Sequence, residues 1–363
     1  MDRLRATPPT IRRAAALLPL LLAAILTAPG AARAEKFAVV TPAAPRLAPA
    51  RTAFVDAVLG KRIVEIDRAG NVVWQCELGD ARFGSDELQR GADLEWIAAD
   101  DTFLLVVPFS GIFRLDRNCA VVWSHRTPRV SHDADLLPNG NVLYTFAWDD
   151  TGDSQAVEID PAGRIVWRWQ AHGHINPAWR NAAEGGGAAR NERGSGRRSG
   201  SQGPGGGAGA GQGAGQGGGR GEGFTHANAV ARLADGDTLV SLRNYGRVVR
   251  VAPDGRVKWA SANINRVHDP SLLPDGRLVA AEHMPMTVVR LGQGQREVLF
   301  ANAIDIRPIR TVEPLPNGNF LVAGGADIVE IDAAGAVLWH VRPYANLGAR
   351  VREGIYKAVR VGR

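Results

Sequence analysis

One pattern returns six times along this chain, and no other feature restricts its fold as strongly. It consists of two apolar strand residues, a turn built on an acidic-type residue and glycine, and an apolar pair closed by an aromatic. The copies are "IVEIDRAGNVVW" ending at Trp74, "IFRLDRNCAVVW" at Trp123, "AVEIDPAGRIVW" at Trp167 and "VVRVAPDGRVKW" at Trp259. A degenerate "VVRLGQGQREVLF" ends at Phe300, and "IVEIDAAGAVLW" ends at Trp339. The aromatic ends are 49, 44, 92, 41 and 39 residues apart, and the one long gap contains a Gly-rich tract. Regular self-similarity at this period belongs to repeat architectures.

Each copy reads as a β-hairpin: an alternating strand, a tight turn and a second strand. A second hairpin precedes most copies, as in "HDADLLPNGNVLYTF", "HANAVARLADGDTLVSL" and "HDPSLLPDGRLVAAE". Two hairpins per period make a four-stranded blade, so the chain is expected to be all-β, a six-bladed β-propeller. The copy at Trp74 lacks an inner hairpin of its own. The last strand-like run, "IYKAVRV" from Ile355, is expected to supply its missing strand and close the ring. Tryptophans 74, 123, 167, 259 and 339 read as packing between blades. Asp67, Asp160, Asp254 and Asp332 read as turn formers, since each belongs to a different outer hairpin.

Residues 1–34 are read apart from the fold. Arg3, Arg5, Arg12 and Arg13 precede the apolar run "AAALLPLLLAAILTA", and "ARA" ends at Ala34. This is the pattern of a secretory signal peptide, so the mature chain is expected in the periplasm or secreted, with no stable membrane span after cleavage. Residues 35–50 are expected to be a linker and 51–363 the propeller. Residues 182–222 carry almost no apolar side chain and are expected to form a disordered loop interrupting it. The full chain has 43 Lys and Arg against 37 Asp and Glu, but five of the Arg lie in the signal. The mature chain is thus close to neutral and carries no basic stripe, which argues against nucleic acid as a partner. Two cysteines, Cys76 and Cys119, exclude a disulfide framework and a thiolate metal cluster. Counted along their strands, they sit at ends about 20 Å apart, so no bond between them is expected.

The inner hairpins can be aligned on their turn glycines. Eight residues before Gly140, Gly276 and Gly318 stand His132, His268 and Arg310; eight before Gly236 stands Asn228, with His226 two residues earlier on the same strand face. In the blade whose turn slot is Asp101, the matching residue is Asp93. The returning strands bring Arg243 and His283 to the same end. Innermost strands line a propeller's channel, so these side chains are expected to meet at one mouth. Singly, a histidine at a strand entrance is an ordinary hydrogen-bonding residue. Three entering successive blades, with an arginine in register, point to a site. Asp93 and Arg310 are expected to line the channel as ion-pairing or substrate-binding groups, and His172 and His174 to play no part.

The segments "HDADLLPNGNVL", "FTHANAVARLADGDTLVSLRN" and "VHDPSLLPDGRLVAAEH" resemble the histidine-bearing blades of bacterial periplasmic aryl-sulfate sulfotransferases. That resemblance spans about residues 60–360. It implies a six-bladed propeller that moves a sulfuryl group from an aryl sulfate ester to a phenolic acceptor, without a nucleotide donor, metal or other cofactor. By register, His226 and Arg243 match the family's sulfuryl-holding pair, His132 matches the histidine of the earlier blade, and His268 matches the histidine that accepts the group covalently. His283, Asn228, Arg310 and Asp93 remain as substrate-binding candidates. The alternative is a non-catalytic periplasmic propeller serving as a binding or scaffold platform.

Overall fold

Alternation of apolar and polar residues makes each repeat a run of short antiparallel strands, and the turn glycines let each strand reverse tightly. Gly140, Gly236, Gly276 and Gly318, the glycines used for the alignment, all have positive φ, which a residue with a Cβ rarely adopts. The computed structural model describes residues 35–45, 47–79, 81–146, 150–180, 223–292, 295–345 and 354–362, all within the unit Glu35–Arg363. The signal segment 1–34 and the Gly-rich stretch 182–222 lie outside the described residues.

The strands assemble into six antiparallel sheets, each a blade. Strand β1 (Ala38–Thr41) comes first. Blade 1 contains β2 (Arg51–Asp56), β3 (Arg62–Ile66) and β4 (Val72–Glu77). Blade 2 is β5 (Asp93–Ile97), β6 (Thr102–Val107), β7 (Gly111–Leu115) and β8 (Val121–Arg126). Blade 3 is β9 (Val130–Leu136), β10 (Val142–Phe146), β11 (Ala156–Ile159) and β12 (Ile165–Trp169). Blade 4 is β13 (Ala227–Arg232), β14 (Thr238–Leu242), β15 (Arg247–Val251) and β16 (Val257–Ala260). Blade 5 is β17 (Val267–Leu272), β18 (Leu278–Glu282), β19 (Thr287–Gly292) and β20 (Gln295–Phe300). Blade 6 is β21 (Thr311–Pro314), β22 (Phe320–Gly324), β23 (Asp327–Ile331) and β24 (Val337–Arg342).

The ring closes as its sequence implies. The last strand, β25 (Ala358–Val361), pairs antiparallel with β2, from Arg51↔Val361 to Phe54↔Ala358, and becomes the innermost strand of blade 1. A second closure lies on the other side of the same junction. Strand β1, inside the stretch expected to be a linker, adds a fifth strand outside β24. Both ends of the propeller are therefore held in sheets.

Six apolar clusters fill the six spaces between neighbouring blades. Strand β6, "TFLLVV", shows how: Phe103, Leu105 and Val107 face the cluster shared with blade 1, while Leu104 and Val106 face the one shared with blade 3. A strand buried on both faces needs an unbroken apolar run, which is why the middle strands lose the polar half of their alternation. The repeated tryptophans join the blades with a directed bond as well. Trp74, Trp123, Trp167 and Trp339 each donate the indole N–H to a carbonyl in the outer turn of the next blade: Arg117, Pro161, Pro253 and, across the closure, Arg68. Trp259 departs from its sisters and is 43% exposed.

The same contact explains a correction. Cys76 and Cys119 form a disulfide, with Cα atoms 5.6 Å apart, where the strand count had kept them apart. That count measured distance along one strand and treated equivalent ends of two blades as aligned. The blades are offset instead. Because Trp74 reaches the carbonyl of Arg117, the outer turn of blade 2 lies across the middle of β4. Cys119 follows Arg117 by two residues and Cys76 follows Trp74 by two, so the sulfurs meet.

Candidate functional site

The innermost strands β5, β9, β13, β17, β21 and β25 all run from the same end of the ring, and their first residues surround the channel there. A regular strand would send successive side chains to opposite faces. The three histidine strands avoid this with an irregularity in their ladders. The pairing of β9 with β10 shifts near His132, that of β13 with β14 shifts at Asn228, and that of β17 with β18 shifts between His268 and Ser271. The ladders of β5 and β21 run without a shift. A bulge adds a residue or more and re-aims its neighbours, here two extra residues in β9 and one each in β13 and β17. Here it lets consecutive residues, His132-Asp133 and His268-Asp269, both turn inward. The backbone stores strain at the same places: His226 and Asp269 have φ of 49° and 43°.

Six of the eight candidate residues gather at this mouth. His132 and His226 stack with ring centroids 5.9 Å apart. His268 and His283 meet edge to face at 5.4 Å. Arg310 Nη1 lies 3.1 Å from His268 Nε2 and 3.5 Å from His283 Nδ1, and Arg243 Nη1 lies 3.5 Å from His226 Nδ1. Arg243 stands on the tight turn after β14 and His283 just beyond β18, as the count from the turn glycines requires. His172 packs its ring 6.3 Å from Phe224, two residues before His226.

The other two candidates serve the walls. Asn228 is buried between blades: its amide donates to the Val267 carbonyl at 3.1 Å and its oxygen accepts from the Ser241 hydroxyl. Asp93 lies one layer deeper, 3.4 Å from the ammonium of Lys357. Lys357 also donates to Glu95 and stands 3.8 Å from Asp133. Asp93, Glu95 and Asp133 bring one oxygen each within 4.8 Å of one another, a spacing that suits a cation, and the Lys357 ammonium lies among them. Burial works against that ammonium, but Asp93, Glu95, Asp269 and Asp133 raise its pKa well above the ordinary lysine value. Below it a cavity of about 250 Å³ is lined by Asp133, Asp135, Asp269, Glu313 and Glu95. Burial lifts the pKa of Asp133, Asp135 and Asp269 above the usual carboxylate range.

Sequence alignment missed Tyr356 and Lys357, which occupy blade 1's place in the ring. Tyr356 stacks on His132 at 5.1 Å, lies 6.3 Å from His268 and sits beneath the Arg310 guanidinium at 5.8 Å. The signal was present in "IYKAVRV". That run has no hairpin partner next to it in sequence, so there was no turn glycine from which to count.

The hydrogen bonds sort the imidazoles into two kinds. A carbonyl only accepts and a guanidinium only donates, so each contact fixes which ring nitrogen carries the proton. His268 Nδ1 lies 2.7 Å from the Arg266 carbonyl, and His132 Nδ1 lies 3.3 Å from the Gly91 carbonyl. Both rings are therefore protonated at Nδ1 and carry their lone pair on Nε2. His226 and His283 place Nδ1 3.5 Å from an arginine Nη1, the side from which a neutral ring would accept. Burial keeps His132, His268 and His283 neutral. It holds His132 down to about 4 and His283 to about 3, with Arg310 and Arg243 adding repulsion. For His268 burial again comes first, then Arg310, His283 and Arg243, and its pKa falls well below 6.5. Among the described residues, the mouth thus brings Arg243 and Arg310 together with the Nε2 lone pairs of His132 and His268, and Arg266 adds its charge beside His283, cations suited to a tetrahedral oxyanion.

Among solved structures, a protein of unknown function from Bacteroides caccae is similar, with 15% identity and a TM-score of 0.55, over 87% of this chain and 100% of that one. It shares the fold. A virginiamycin B lyase from Staphylococcus aureus matches at 13% identity and a TM-score of 0.45, over 76% of this chain and 82% of that one. A gluconolactonase from Xanthomonas campestris matches at 12% and 0.46, over 85% and 90%. No curated protein matches the sequence. The family model described as Arylsulfotransferase (ASST) matches residues 43–272, a span holding His132, His226, Arg243 and His268. The chain belongs to the arylsulfotransferase family.

Proposed function

We propose that this propeller moves a sulfuryl group from an aryl sulfate ester to a phenol in two displacements, through a sulfo-histidine at His268. What carries the reading is the pair of buried, neutral imidazoles, His132 and His268, that keep a lone pair on Nε2 beside Arg243 and Arg310. In the first step His268 Nε2 attacks sulfur, the S–N bond forms, and the S–O bond to the aryl group breaks, releasing a phenolate. Arg310 contacts that same nitrogen; when its donors turn to the sulfuryl oxygens, the lone pair is left to the sulfur. Arg243, with His226 and His283, steadies the charge on the peripheral oxygens. In the second step the acceptor phenol attacks sulfur, His132 Nε2 takes its proton as the new S–O bond forms and passes it to solvent, and the S–N bond breaks to restore neutral His268. Chemistry of this kind needs no cofactor.

The amino-terminal sequence and the disulfide both favour a periplasmic or secreted location, since such bonds persist in oxidising compartments. Incubation with 4-nitrophenyl sulfate and a phenol acceptor tests the activity. Wild-type protein should release nitrophenol and form the sulfated acceptor. His268→Asn and Arg243→Ala should each abolish transfer while leaving the circular dichroism spectrum unchanged. Wild-type turnover in either variant would remove that residue from the mechanism, and a wild type that releases no nitrophenol would favour a non-catalytic platform.

A further inference from the structure

The aspartate after each ring histidine of blades 3 and 5 has a partner in the next blade. Asp133 Oδ2 accepts the backbone N–H of Val230 at 2.7 Å, and Asp269 Oδ2 accepts that of Val312 at 2.9 Å. Val230 lies on β13, the strand that His226 enters, and His226 is the ring on which His132 stacks. Val312 lies on β21, which Arg310 enters, and Arg310 is the group that contacts His268. Each histidine therefore touches a functional side chain on the following strand, and the adjacent aspartate grips that same strand's backbone.

We propose that His132-Asp133 and His268-Asp269 are pairing units between blades, in which Asp133 and Asp269 are positioning residues that set the spacing of the site. The physical need is plain. An innermost strand has a sheet neighbour on one side only, so alternate N–H groups point toward the channel without a ladder partner. Buried and unsatisfied, each would be costly. Carboxylates from the preceding blade satisfy them and join the strands across the apolar junction. Two further junctions carry related links: Glu313 Oε2 accepts the Arg360 N–H at 3.2 Å, and the Asn228 amide donates to the Val267 carbonyl. The Glu313–Arg360 bond links blade 6 to the strand that delivers Tyr356.

Titration of the histidines by NMR tests this, and the kinetic arm alone rests on the sulfuryl-transfer reading. The charged and titratable groups facing His268 are Arg310, Arg243 and His283, with Tyr356 alongside. Asp269→Gly removes the carboxylate but tolerates the positive φ, whereas Asp269→Asn keeps an acceptor oxygen and removes only the charge. The Gly variant should raise the His268 pKa toward the ordinary value, more than it raises that of His132. The Asn variant should leave it in place. Asp133→Gly should reverse the order, moving His132 and His226 more than His268. In turnover of 4-nitrophenyl sulfate, Asp269→Gly should lower kcat by about tenfold or more, with the Asn variant close to wild type. The proposal is overturned if Gly and Asn behave alike, if both Gly variants move the same histidine most, or if no histidine moves. A wild type without turnover would remove the transfer reading and leave the titration to decide the pairing.

Discussion

At the scale of single residues, proton placement matters more than the count of histidines. His268 can act as a nucleophile only while Nε2 is unprotonated. Burial and the nearby arginines hold its pKa well below 6.5, and they hold His132 at about 4. A base whose pKa is depressed stays neutral until the pH falls through the depressed value. The acid limb of kcat/KM should therefore lie below pH 6.5, with activity unchanged between neutral pH and about 6. A pH–rate profile whose acid limb falls at 6.5 or above would contradict the neutral, arginine-flanked imidazole. His132, His226 and His268 were legible in the sequence because a hairpin fixes the distance from turn glycine to strand entrance. The inward turn of Asp133 and Asp269 was not legible. It depends on a bulge of one or two residues, and so small an insertion is invisible in an alternation already blurred by burial on both faces.

At the scale of elements, the hairpins were readable and their offsets were not. Period-two alternation and turn chemistry specify a hairpin locally, whereas the relation of one blade to the next is set by packing between their faces. The Cys76–Cys119 bond came from that second kind of information. It joins β4 to the outer turn of blade 2, on the rim and away from the channel. The bond closes a long loop, with the two cysteines 43 residues apart. Replacing both cysteines with serine should lower the stability to chemical denaturation by about 2–4 kcal/mol. Turnover per folded molecule should not change, since the mouth is built from other strands. Equal stability with and without the bond would mean that blades 1 and 2 are held by their apolar cluster alone.

At the scale of the whole molecule, the ring places a cationic, imidazole-rich mouth above a layer of carboxylates, and Lys357 stands between them. Six blades and closure by "IYKAVRV" could be read from repetition alone, but the role of that strand's first residues could not. Tyr356 completes the mouth and Lys357 neutralises the layer beneath it, so the last strand serves site and closure together. Lys357→Met should destabilise the fold by about 3 kcal/mol at neutral pH, because its carboxylate partners are left buried without their cation. The deficit should shrink as the pH falls and those carboxylates take up protons, which melts at pH 5 and pH 7 would reveal. A deficit that grows on acidification would place the neutralising charge elsewhere. Sulfuryl transfer through His268 leaves a covalent intermediate that trapping would reveal. Brief exposure to an aryl sulfate, rapid quenching under alkaline conditions and peptide mapping by mass spectrometry should find one added SO₃ on the peptide carrying His268, and none in the His268→Asn variant. A modified peptide carrying a different histidine, or sulfated phenol formed with no modified peptide at any time point, would contradict it.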